Sequence, residues 1–472
     1  IYLMKNLIFS TLLILLIILT ISNCEKSNNN HLKDYVYTKD PAFSYEIVQI
    51  DSAKSWKEYR IKMVSGTWLT KNEVNNTEWW HWITIVVPNK TLETEALLIV
   101  GGGSSKKKEP LNASELLINI ALETNSIVAE ISNIPFQPLN FSNDSKDDRY
   151  EDDLIAYGWK KFLEGGAKDK DVEWLARLPM TRAVVRGMDV IQKVADNINI
   201  KINEFVIAGA SKRGWTTWTT AVVDDRVIAI VPIVIDLLNV VPSFDHHWRC
   251  YGEWSPAIDD YVNEGITDWM GSKEYNRLLQ IVEPYSFIDQ LSIPKFLING
   301  TGDEFFVTDS WQFYWNKLIG ENFLQYVPNG NHGLTGSYNP GSLIAFYNAI
   351  ITNRNIPEFN WYVSNDSIYL DVDSNADYTI KSWQAINENT RDFRVDVIGK
   401  SWKSDEIYKT VNDKYYLHVS KPTSGYKAGL LEITIDSGTN YPFVFTTGTL
   451  ISPNSYPFMP YEPLTPKGKR IR

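Results

Sequence analysis

Cysteine is almost missing from these 472 residues: Cys24 and Cys250 are the only two. A disulfide framework is excluded, so packing must hold the fold, and Cys250 reads as a buried free thiol. Histidine is scarce as well, with six: His31, His81, His246, His247, His332 and His418. The only close pair is His246-His247, and adjacent residues rarely share one ion, so no metal site is expected, nor any organic cofactor. No dense basic run occurs, and 46 Lys+Arg stand against 57 Asp+Glu for a net charge of −11. A field of that sign repels phosphate backbones and anionic bilayers, which argues against nucleic-acid partners. Long apolar runs are missing too, except for Leu7 to Ile21, and fifteen residues are short for a membrane span.

What the chain does have is ring-bearing side chains: 17 Trp, 25 Tyr and 19 Phe. Disordered chains lack these, so sizeable cores are expected, in one large domain plus a smaller one.

The apolar run follows Met4-Lys5-Asn6 and suits a signal-peptide core, so residues 1–23 read as an export signal. Two endings stay open. Ile21-Ser22-Asn23-Cys24 is similar to a bacterial lipoprotein box, which would leave Cys24 lipidated. Alternatively, cleavage falls near Ser22 and Cys24 is incidental. Either way the protein is expected outside the cytoplasm. It would touch a bacterial membrane only through a lipid at Cys24, with residues 24–34 as a flexible tether.

From 35 to 356 strands alternate with helices. Ile83–Val87, Ala96–Val100, Ser126–Glu130, Phe205–Ala208, Val227–Ile235, Phe296–Ile298 and Leu324–Val327 read as strands. Leu111–Thr124, Arg182–Val194, Lys212–Val222, Ser310–Leu318 and Leu343–Ile351 read as helices. Continuous apolar strands between helices predict an α/β fold with a mostly parallel sheet covered on both faces. Residues of about 237–292 far exceed what a crossover needs and are expected to form a helical lid. From 357 to 456 short alternating runs, Phe393–Val397 among them, predict a small antiparallel β-sandwich. Residues 457–472, with four prolines, read as an irregular tail.

The chemistry concentrates where Phe205-Val206-Ile207-Ala208 enters Gly209-Ala210-Ser211 and a helix leaves at Lys212. A turn this tight strains its central residue and demands small neighbours; it lifts the hydroxyl to a helix N-terminus, where developing negative charge is favoured. Arg213 holds the place of the usual second glycine, and Gly214 follows it, so the elbow is a variant. The alternative is that Ser211 merely caps the helix. His332, after a strand and before the last helix, stands where an α/β-hydrolase fold (the class this pattern predicts) keeps its base. Asp303, in the Gly-rich turn 300–304, stands where it keeps its acid. Asp236, ending Val227–Ile235, is the rival acid. The backbone N–H of Lys212, with Gly101 or Gly102, would form the oxyanion hole. Glu130, Arg149, Trp215 and His247 are candidate substrate contacts; for Glu130 and Arg149 a structural ion-pair network is the competing reading.

Thr67-Trp68-Leu69-Thr70, Trp79-Trp80-His81-Trp82, Leu178-Pro179-Met180-Thr181, Gly209-Ala210-Ser211-Lys212-Arg213-Gly214-Trp215, Val231-Pro232-Ile233-Val234-Ile235-Asp236 and Val282-Glu283-Pro284-Tyr285 together resemble the PhoPQ-activated pathogenicity-related protein family, from about Tyr35 to Asn360. The resemblance implies an exported α/β-hydrolase-like protein, related in shape to serine peptidases of the prolyl-oligopeptidase and dipeptidyl-peptidase type. It supplies no substrate. The expected function is a serine hydrolase, esterase or peptidase, acting on a small-molecule, peptide or ester substrate. Two alternatives stand beside it. One is a secreted or surface signalling protein on a hydrolase frame that engages a cell-surface receptor. The other is a carbohydrate esterase.

Overall fold

A nine-stranded mixed sheet organises the computed structural model, which describes residues 30–471 apart from 111, 374 and 409–413. The signal segment and Cys24 lie outside the described residues. Residues 31–34, expected in a tether, instead begin helix α1 (His31–Tyr37), which buries Leu32 and Val36. Strands β1 (Ser44–Ser52), β2 (Trp56–Thr67) and β3 (Glu78–Pro88) form an antiparallel wing. Beyond them run β4 (Glu95–Val100), α2 (Glu115–Thr124), β5 (Ile127–Ile131), α3 (Glu151–Glu164), α4 (Arg177–Asn197), β6 (Glu204–Ala210), α5 (Lys212–Val223) and β7 (Val227–Ile233). The sheet order is β1-β2-β3-β5-β4-β6-β7-β8-β9, with β8 (Lys295–Gly300) and β9 (Asn322–Val327) last. From β5 onward every pairing is parallel. This is the α/β-hydrolase arrangement, with the strand that leads into Ser211 central in the parallel part.

Alternation along the strands divides the core in two. Leu98, Val100 and Ile207 pack with α1, α4 and α5 on one face, while Leu97, Val206 and Ala208 pack with α2 on the other. The sequence misses β1 and β2, and it misses α3, whose first turn Glu151-Asp152-Asp153 hides the apolar face.

Between β7 and β8 an insertion carries α6 (Val240–Tyr251), α7 (Asp259–Asn263) and α8 (Lys273–Val282). The helix expected over 310–318 is two single 3-10 turns, because the indole N–H of Trp311 donates to the Thr449 carbonyl (2.8 Å) and Trp315 stacks on Trp361. Helix α9 (Gly341–Ile351) closes this part and joins α2 on its face of the sheet. Two antiparallel sheets follow, built from β10 (Glu358–Ser364), β11 (Ser367–Asp373), β12 (Tyr378–Asn387), β13 (Lys403–Glu406), β14 (Tyr415–His418), β15 (Tyr426–Ile435), β16 (Phe443–Thr446) and β17 (Leu450–Ser452). Ile368, Leu417, Leu431 and Ile433 of the two sheets share one core. Residues 393–397, expected as a strand, instead lead into a one-turn helix, α10 (Val395–Ile398). The segment before it is drawn to the β8–β9 connection and to the insertion: Arg391 pairs with Asp309 (2.7 Å) of the first, and Arg394 donates to Ser255 (3.2 Å) of the second.

The tail has no regular secondary structure, as expected, but it packs on the insertion. Tyr461 donates its N–H to Asp245 and lies against Trp248 and Trp254 at ring distances of 4.9 and 4.7 Å. Farther on, Lys273 donates its N–H to the Lys469 carbonyl (2.8 Å).

Candidate active site

Ser211 sits at φ 58°, ψ −126°, a backbone conformation an L-residue enters only when its surroundings force it. Its N–H donates to the Ile233 carbonyl (2.7 Å), tying the elbow to β7. The late glycine has a physical reason. A Cβ on Gly214 would stand 2.9 Å from the Gly209 carbonyl oxygen and 2.8 Å from a methyl of Ile235, so the close approach of helix to strand falls there. Arg213, at the usual glycine position, projects away, pairing with Glu151 (2.6 Å) and donating to the Ile134 carbonyl (2.7 Å).

His332 and Asp303 meet across two loops. Nδ1 of His332 lies 2.8 Å from one Asp303 oxygen and 3.0 Å from the other. Asp303 is held by the N–H groups of Phe305 (2.7 Å) and Phe306 (3.3 Å), and Glu304 accepts the His332 backbone N–H (2.7 Å). Phe305 covers one imidazole face at 4.1 Å. With Nδ1 donating to the carboxylate, Nε2 is left to accept a proton. No hydrogen bond joins His332 to Ser211 among the described residues. The rival Asp236 reaches neither; it accepts hydrogen bonds from Tyr314 (2.5 Å) and Tyr326, fully buried. That burial pushes its carboxyl up to about 7.

Of the oxyanion candidates, Gly101 is spent: its N–H donates to the Ile131 carbonyl (2.7 Å). The N–H groups of Lys212 and Gly102 have no protein acceptor among the described residues.

Ser211 opens onto a cavity whose wall includes Asp152, Arg177, Lys212, Trp215, Phe305 and Phe306, together with Phe244, Ile258 and Tyr261 of the insertion. Lys212 Nζ pairs with Asp152 (2.8 Å) and Glu151 (3.1 Å), and the Tyr261 hydroxyl donates to Asp152 (3.0 Å). Burial alone would raise both carboxyls, but Lys212 holds Asp152, and Arg213 with Lys212 holds Glu151, below the usual range. Arg177 donates to the Lys212 carbonyl (2.7 Å) and stacks on Trp215 at 4.6 Å; its burial lowers the guanidinium from its ordinary value.

Trp215 is therefore in the cavity wall, its indole N–H given to the Val282 carbonyl (2.6 Å). Three other candidate contacts lie elsewhere, correcting the sequence reading. Arg149 is spent on Asp144, Asp153 and Glu264, at 2.5, 2.6 and 2.7 Å. Glu130 faces Gly101 and a separate pocket with Thr84, Asn112 and Ser114. His247 is buried among Phe244, Tyr251 and Trp254 and accepts the Ser255 N–H (3.0 Å). Arg177 and Tyr261 are not legible in the sequence as site residues; they lie far from Ser211 along the chain, and neither stands in a recognisable motif.

Sheet order, a strained serine elbow and a carboxylate-held histidine after the last strand of the sheet define a protein of the α/β-hydrolase fold. The chain belongs to the PhoPQ-activated pathogenicity-related protein family, whose sequence model matches residues 32–394. It is 36% identical to autocrine proliferation repressor protein A of Dictyostelium discoideum, over 94% of each chain. Among solved structures it is similar to acetyl xylan esterase 1 from Thermoanaerobacterium, with a TM-score of 0.44, 12% identity, and coverage of 64% of this chain and 86% of that one. It is also similar to an acylaminoacyl peptidase of Pyrococcus horikoshii, with a TM-score of 0.38, 14% identity, and coverage of 62% and 47%. Likenesses that distant carry no argument about the reaction.

Proposed function

We propose that this chain is a serine hydrolase, cleaving an ester or peptide bond through an acyl-enzyme, and that it works outside the cytoplasm. The observation that carries the proposal is the Asp303–His332 pair, at 2.8 Å, on the loops that follow β8 and β9, the second and third strands beyond the Ser211 elbow. In the working complex Nε2 of His332 takes the Ser211 proton as the hydroxyl attacks the carbonyl carbon. The negative oxygen is received by the N–H groups of Lys212 and Gly102. The imidazolium, steadied by Asp303, then protonates the leaving group, and water reverses the steps to free the acid. Ser211 and His332 close their gap on substrate binding, as catalytic hydrogen bonds commonly do. The insertion acts as a lid, since Phe244, Ile258 and Tyr261 wall the cavity. The export proposal rests on the apolar run at 7–21.

A second reading, a signalling or binding protein with little turnover, is favoured by the missing Ser211–His332 bond and by the name of the Dictyostelium relative. A fluorophosphonate probe separates the two. An enzyme labels at Ser211, and the label vanishes in Ser211→Ala and in His332→Ala. Folded wild-type protein that takes no label sinks the hydrolase proposal.

A further inference from the structure

Resting on the hydrolase reading, we infer that the cavity at Ser211 is an acyl pocket for a short, unsubstituted alkanoyl group of about two to four carbons. The preferred substrate is then a short-chain ester, and N-terminal aminoacyl substrates are rejected.

Size argues first. Only about 40 Å³ of the cavity is open to the centre of a water-sized sphere. One water needs roughly 10–15 Å³ on such a measure, so the space matches about three waters. Two to four carbons fill it; eight do not, unless the wall gives way.

The wall argues second. It is made largely of Trp159, Trp215, Ile235, Leu237, Val240 and Ile258, with Phe244, Phe305 and Phe306. Such a surface gains by covering CH₂ and CH₃ groups and penalises a polar one.

The polar groups argue third, because they are committed to one another. Asp152 is taken by Lys212 (2.8 Å) and Tyr261 (3.0 Å), and Arg177 by the Lys212 carbonyl (2.7 Å) and the Trp215 face. Around the elbow the cations Lys212, Arg213 and Arg177 face the carboxylates Glu151 and Asp152, with Asp260 beyond them. These charges balance one another, and an ammonium group entering with an aminoacyl substrate finds no free counter-ion. A plain acyl chain asks for none.

The test uses the exported chain with p-nitrophenyl esters of two, four, eight and twelve carbons and with alanine and leucine p-nitroanilides. We expect kcat/KM for the two- and four-carbon esters to exceed that for eight carbons at least tenfold, with the anilides slower still. Ile258→Ala, and independently Leu237→Ala should the first variant misfold, enlarges the pocket and raises the eight-carbon to four-carbon ratio at least tenfold. A flat chain-length profile, a preference for eight or twelve carbons, or faster cleavage of the anilides overturns the pocket assignment while leaving a fluorophosphonate-reactive hydrolase. No ester turnover together with no labelling fails the hydrolase reading itself.

Discussion

Asp236 and Asp303 follow neighbouring strands, yet only Asp303 reaches the imidazole; what separates them is where their loops carry them. Asp303 turns at once into Phe305 and Phe306, whose amides hold its carboxylate toward His332. Asp236 ends beneath Tyr314 and Tyr326. If Asp303 is the orienting acid, Asp303→Asn lowers kcat by about 10⁴-fold with the fold intact. Asp236→Asn then lowers it less than tenfold, and steady-state kinetics on the short esters reads both. Asp236 also has a stability signature. Its folded value of about 7 lies above its ordinary 3.8, so between those values the folded protein keeps a proton that the unfolded chain has lost. Stability from this group is full at low pH and falls as pH rises through that window. The melting temperature at pH 7.5 minus that at pH 4.5 should therefore be more positive in Asp236→Asn than in wild type. Gly214→Ala is the third residue-scale case: its Cβ meets Ile235 and the Gly209 carbonyl, and it should cost about 1–3 kcal/mol in denaturant melts and abolish labelling. The elbow and the histidine were legible from local motif and chain order, while the acid stayed open between Asp303 and Asp236. The offset glycine was explained only by the contact at Ile235, which belongs to another strand.

At the scale of elements, the insertion is tied down from several sides. Glu264, after α7, receives Arg149 (2.7 Å) and Lys160 (2.9 Å), and Tyr261 binds Asp152. Behind it, the tail runs over α6 and α8 through Tyr461 and Lys469. Removing residues 457–472 uncovers Trp248 and Trp254 and cuts these ties. Limited proteolysis should then cleave within 240–283 at least tenfold faster than in the full chain. The sequence signalled the insertion by its length alone. That a proline-rich tail would serve as its outer strap was illegible, because no periodicity marks an extended segment whose partners lie two hundred residues away. Arg149 failed as a candidate contact for a related reason: its charge could be read, but its three carboxylate partners come from two separate segments.

Over the whole molecule, buried histidines set the response to acid. His81 and His247 are both pushed down to about 3 by burial, so each is neutral in the fold. His81 sits between Ser65 (2.9 Å) and the carbonyl of Asn133 (3.2 Å). Their ordinary value is 6.5. The stability they contribute is full above about pH 6.5 and is lost as pH falls toward 3, where the unfolded chain takes up protons the fold refuses. Between pH 7 and pH 5 this loss runs against the gain from Asp236, so on that step the melting temperature of His247→Asn should fall less, or rise more, than that of wild type, as calorimetry would show.

Sequence alone determined the parallel-sheet class, the strained turn at Ser211 and the order serine, aspartate, histidine, because each is written in neighbouring residues or in simple order along the chain. Tertiary structure decided which acid holds the imidazole, which charges surround Ser211 and what walls its cavity. Those depend on distances between segments far apart in sequence, and side chains as alike as Asp236 and Asp303 become different groups only when packing gives one an imidazole and the other two buried tyrosines.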